Sequence, residues 1–112
     1  MAYNENIAQR VREMLSKYDG ITEKKMFGGL CFMMYGNMVC GVGGITKDAM
    51  LFRVDPSESE ILLKEKRVKA MEMRGRSMKG FLYVDEVVLK EEKDLEKWIK
   101  RSIDFVKTMP KK

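Results

Sequence analysis

The chain has 112 residues, 45% of them hydrophobic and 35% charged, with a formal net charge of +5 and no histidine. That balance describes one folded domain with a modest core rather than a disordered chain, and no apolar run approaches the roughly 20 residues of a membrane helix. The missing histidine excludes a Ser-His-Asp or Cys-His catalytic arrangement, and two cysteines alone cannot form a zinc site of the usual Cys/His kind.

The first residues, Met-Ala-Tyr-Asn-Glu-Asn, carry neither a basic n-region nor an apolar h-region, so a cytoplasmic location is expected. Asn4 can cap a first helix whose buried stripe is Ile7, Val11, Met14 and Leu15, and Tyr18-Asp19-Gly20 ends it. A strand from about Thr22 to Phe27 leads into Gly28-Gly29, where missing side chains permit a bend or a bulge. Leu30–Tyr35 and Met38–Val42 then flank Gly36-Asn37, which reads as a hairpin with a two-residue turn. That register pairs Tyr35 with Met38, Met33 with Cys40 and Cys31 with Val42. Cys31 and Cys40 then share a face, diagonally and roughly 7–8 Å apart. A disulfide wants Cα atoms closer than about 7 Å, so two buried thiols are expected.

A further strand is expected near Ala49–Val54. Asp55-Pro56-Ser57-Glu58 is a compact helix start, with Asp55 as cap, Pro56 in the first turn and Glu58 placed to reach back. This helix carries Ile61 and Leu62 and is expected to end near Lys66. Lys69–Arg74 and Met78–Val84 flank Gly75-Arg76-Ser77 as a second hairpin. The last helix begins around Glu91 and carries Leu95, Trp98, Ile99, Ser102, Ile103 and Val106 on one face. Its early acids and late bases complement the helix dipole. The order is an α+β domain with a mainly antiparallel sheet and N-terminal, middle and C-terminal helices.

Residues 30–35 are apolar on both faces, whereas an antiparallel sheet in a small domain usually wets one. Helices can cover one face; a homodimer partner is expected on the other. The charge is also local. From Lys64 to Lys79 there are seven cations (Lys64, Lys66, Arg67, Lys69, Arg74, Arg76, Lys79) against Glu65 and Glu72, which accounts for the whole net charge. Such a cluster is either a solvated basic face or a surface that attracts phosphates or acidic proteins. It comes with neither a helix-turn-helix signature nor an aromatic platform for RNA. Arg74, Arg76 and Lys79 are the candidate partner or anion contacts. Arg53 follows them, opposite in face to Phe52 and Val54, either a solvated strand residue, or paired with a carboxylate such as Asp55, or offering its guanidinium fork to an anion or partner.

Gly41-Val42-Gly43-Gly44-Ile45-Thr46-Lys47 is not a phosphate loop, because Thr precedes Lys and no helix pattern follows; its glycines suit a bulge and a turn. Eleven methionines are an unusual number. Met26, Met33, Met38 and Met50 are expected in the core. Met71, Met73 and Met78, beside the basic cluster, would suit an adaptable protein interface.

Met26-Phe27-Gly28-Gly29, Tyr35-Gly36-Asn37-Met38, Leu51-Phe52-Arg53-Val54-Asp55, Arg74-Gly75-Arg76-Ser77-Met78 and the closing helix with Trp98 together resemble the N-terminal domain of the TfoX (Sxy) competence regulators. The resemblance covers about residues 20–105 and makes 1–112 a single TfoX N-terminal-like domain, a stand-alone member. Cys31-Phe32-Met33-Met34 departs from the more usual polar approach to the turn, and Asp85-Glu86 stands where a Pro is common. The resemblance implies a domain found alone or fused to a helical C-terminal domain in regulators that act beside a transcription activator. These 112 residues contain no such second domain, so that role is expected to transfer only in part. It brings no catalytic residues and no cofactor. The expected function is therefore a non-enzymatic regulatory or protein-interaction domain. The alternative is a direct nucleic-acid binder using Lys64–Lys79; a small-molecule binder or an unrecognised enzyme stands third.

Overall fold

In the computed structural model, which describes residues 4–26, 28–43, 49–73 and 75–111, Asn4 opens helix α1 (Glu5–Leu15). Its side-chain oxygen accepts hydrogen bonds from the backbone N–H groups of Asn6 and Ile7 at 2.9 and 3.2 Å, which satisfies two of the helix's free donors. Ile7, Ala8, Val11 and Leu15 are buried at a spacing that puts them on one side. Strands β1 (Ile21–Met26), β2 (Gly29–Met34), β3 (Asn37–Gly43) and β4 (Ala49–Arg53) follow. After a 3-10 turn at Pro56–Glu58 come the short helix α2 (Ser59–Leu62), strands β5 (Val68–Met73) and β6 (Arg76–Asp85), and helix α3 (Glu92–Val106). The expected α+β class holds: three helices and a six-stranded antiparallel sheet in the order β1-β2-β3-β4-β6-β5.

α1 and α3 lie on one face of this sheet. The core fills the space between them with Phe32, Val42, Met50, Phe52, Leu82 and Val84 from the strands and Leu95, Trp98, Ile99, Ile103 and Val106 from α3. Phe52 and Trp98 meet at its centre with ring centroids 5.5 Å apart. The six buried positions of α3 are the six expected from its sequence period.

Three local expectations give way. First, the β2–β3 turn is Tyr35-Gly36, one residue earlier than Gly36-Asn37. Both residues have positive φ, +48° and +84°, as a primed two-residue turn requires. Tertiary contacts choose this frame. The Tyr35 N–H donates to the Gly20 carbonyl at 2.8 Å, and the Tyr35 ring lies so close to Gly20 that a Cβ there would sit 2.6 Å from it. Asn37 is drawn inward instead, donating through Nδ2 to the Pro110 carbonyl at 2.9 Å. Second, the shifted frame and a bulge at Val39 pair Cys31 with Gly41 and Phe32 with Cys40. The two thiols therefore belong to opposite faces: Cys40 is in the core, and Cys31 is on the side away from α1 and α3. Both are free and buried, as expected. Third, α2 stops at Leu62 rather than near Lys66, and Ile61 is 66% exposed while Leu62 is buried.

The second hairpin bulges as well. Ala70 pairs with Leu82 but Met71 pairs with Met78, which loops out three residues of β6 around Gly80. Gly80 has φ +87°, and a Cβ there would come within 3.0 Å of the Val54 carbonyl. Its N–H donates to Ser59 Oγ at 2.7 Å, which ties the bulge to α2. Gly28, with φ +79°, belongs to the turn between the paired residues Met26 and Gly29.

Candidate binding face

Strand pairing places one row of residues straight across the sheet: Lys24, Cys31, Gly41, Leu51, Tyr83 and Lys69, one from each strand in spatial order. Alternation puts this row on the face opposite the core, because Phe32, Val42, Met50, Phe52 and Val84 beside it are all core residues. Gly41 sits mid-row without a side chain. A hollow of about 200 Å³ lies here, with Gly41 in its lining. Its lining is almost wholly apolar: thioethers of Met26, Met38, Met71 and Met78, the Cys31 thiol, and the sides of Leu51, Phe81 and Tyr83. Among the described residues no helix contributes to it.

The expectation that Met26, Met33, Met38 and Met50 all fill the core therefore holds for Met50 alone. Met26 and Met38 line the hollow, and Met33 pairs with Met38 on that same face. Met71 and Met78 lie where the basic segment meets it, and Met78 is about one-third exposed.

The cations around the hollow come from different parts of the chain. Lys24 is exposed on β1 opposite Cys31, whose thiol burial pushes up in pKa while Lys24 pulls it down. Lys69 closes the row at the other edge of the sheet. Arg76 shares the Met78 side of β6 by alternation and is exposed. On the core face Glu23 receives Arg12 of α1 at 2.6 and 2.8 Å, and its carboxyl is held below the ordinary value, chiefly by that hydrogen bond.

The other residues named from the sequence are placed as follows. Arg74 lies outside the described residues, as do Gly44, Thr46 and Lys47 of the glycine-rich stretch. Lys79 is exposed in the looped-out part of β6. Arg67 pairs with Asp85 at 3.2 Å and has a positive φ of 61°, so the turn that precedes β5 uses it structurally. Arg53 does not reach Asp55. It lies across the rings of Phe81 and Phe105, with its Cζ 5.2 and 6.0 Å from their centroids, and partial burial lowers its pKa. Asp55 instead accepts from Ser57 through both N–H and Oγ. The Lys64–Lys79 segment is thus divided between a turn, two strands and an ion pair.

Residues 13–106 match the family model of the TfoX N-terminal domain. The chain belongs to that family. No curated protein and no solved structure matches it. In this TfoX N-terminal domain the matched residues take in all six strands, both bulges and the hollow. Among the described residues, no group of three or more Cys, Asp or Glu side chains is arranged to hold a metal ion, and no helix is long and apolar enough to cross a membrane.

The hollow was not read from the sequence, although its signal was present. Gly41 in the middle of an apolar strand marks a place where a ligand or another chain approaches closely. The correct hairpin frame is needed to see that Cys31 and Leu51 flank it.

Proposed function

We propose that this chain is a regulatory protein-interaction domain of the competence-regulator kind, without catalysis of its own. It engages its partner through the sheet face that carries Cys31, Gly41, Leu51 and Tyr83. The observation that carries this reading is the apolar hollow at Gly41 on a face that α1 and α3 leave uncovered. An apolar concavity flanked by charge is what a partner's anchoring side chain requires. Membership of the family supports the regulatory role, and two unpaired thiols suit the reducing cytosol.

Direct nucleic-acid binding through Lys64–Lys79 is the second reading, favoured by the exposure of Lys64, Lys66, Arg76 and Lys79. It fits less well, because Arg67 is paired with Asp85 and Lys69 and Arg76 border an apolar surface rather than a continuous charged track.

Two measurements separate the readings. A photo-cross-linking residue at Leu51 should capture a discrete protein in cells, while the same residue at exposed Gln9 of α1 should not. A labelled DNA duplex should show no appreciable binding by anisotropy at about 50 mM salt. Tight binding at that salt that collapses by orders of magnitude near 200 mM would move the assignment to nucleic acid.

A further inference from the structure

We propose that the hollow at Gly41 is the anchor site for one bulky apolar side chain of an acidic, amphipathic segment on the partner protein. This rests on the interaction reading above and names the chemistry of the partner.

Size comes first. An apolar cavity of about 150 Å³ holds a benzene ring, whereas small-molecule and cofactor sites run to about 300–1,000 Å³. At about 200 Å³ the hollow takes one aromatic or large aliphatic side chain. The lining agrees with this. Four thioethers, from Met26, Met38, Met71 and Met78, repack around whatever enters, so the site selects bulk and apolarity rather than one shape.

Charge then selects the remainder of the segment. Lys24 and Lys69 stand at the two ends of the cross-strand row centred on Gly41, and Arg76 stands above Met78. Asp85, whose carboxylate feels the charge of Lys69, is already held by Arg67 and the Val87 N–H. Five strand spacings of about 4.8 Å separate the lysines by about 24 Å, the length of roughly 16 residues of helix. A segment of that length with an apolar anchor in its middle and carboxylates toward its ends satisfies both. A second copy of the same face fits poorly, since it brings lysines toward lysines.

The test is selection of displayed random 16-residue segments on the full chain, with counter-selection on Gly41→Leu. A Cβ at Gly41 meets its neighbours at 3.7–3.9 Å, so the longer side chain enters the hollow without displacing backbone. The enriched segments are expected to be net acidic with one or two bulky apolar residues. They should lose at least tenfold in affinity on Gly41→Leu. They should lose a similar factor on the double change Lys24→Glu and Lys69→Glu, which alters only exposed positions, with an unchanged circular dichroism spectrum showing that the fold is kept. Enriched segments that are neutral or basic, segments that bind Gly41→Leu unchanged, or no enrichment at all would overturn the proposal. So would sedimentation showing a dimer that Gly41→Leu dissociates, which gives the face to a second copy. Should the Leu51 cross-linker capture a protein while no acidic segment is selected, the interaction reading survives and this proposal fails. Should Leu51 capture no more than Gln9, the reading itself fails.

Discussion

Ser59 carries more than its size suggests. The residue is 4% exposed, and its hydroxyl receives the N–H of Gly80 and so supplies the hydrogen bond that the β6 bulge denies that group. Ser59→Ala strands a buried donor, and urea unfolding should show a loss of about 1–3 kcal/mol with an unchanged slope. Arg53 shows the same dependence on neighbours. Alternation gives its side of the strand, but only tertiary packing puts the rings of Phe81 and Phe105 beneath its guanidinium. Residue-scale partners were the least legible part of this chain. Asp55 was visible as a cap, and it does cap. Its engagement with Ser57 rather than Arg53 depends on a turn geometry that composition does not encode.

Elements were far more legible, and where they slipped the cause is physical. α3 and α1 follow from their periods, because each has one face against the core and no other place to put it. The β2–β3 hairpin slipped by one residue because Gly36-Asn37 and Tyr35-Gly36 are both compatible with a primed turn, and contacts remote in sequence, at Gly20 and Pro110, decide between them. The bulge at Val39 then moves Cys40 and Val42 of β3 to the opposite face, while Met38 keeps the side of Met33. The bulge is why Cys31 and Cys40 fall on opposite faces rather than on the expected diagonal, and why Gly41 comes to face Cys31 in the hollow. α2 ran short because its two apolar residues cannot hold a longer helix to the core. The helix starts also differ in a testable way. α1 has the Asn4 cap, whereas α3 begins at Glu91 in an extended conformation (φ −76°, ψ 130°) with no side-chain cap. Glu91→Ser should therefore stabilise the domain by about 0.5–1 kcal/mol, read as a raised thermal midpoint.

At the scale of the whole molecule, the charge pattern sets the response to acid. Glu23, Asp85 and Asp104 all have pKa values below their ordinary ones, chiefly through hydrogen bonds from Arg12, the Val87 backbone and Lys100 respectively. A depressed folded pKa means stability that is present above the unfolded values of 4.5 and 3.8 and lost as pH falls through the folded ones. Denaturation midpoints should thus be flat from pH 7 to about 5 and decline steadily below about 4.5. Because these pairs are largely exposed, the decline should be shallow and should shrink further in high salt. The two thiols give the molecule a built-in pair of clocks. Cys40 is sealed between sheet and helices, so an alkylating reagent reaches it only when the whole domain opens. Cys31 borders the hollow, so the same reagent reaches it through local motion of the thioethers, and any occupant of the hollow stops it. One mass spectrum of a timed alkylation therefore reports occupancy of the binding face from the first mass increment and folding stability from the second, with no probe engineered into the protein.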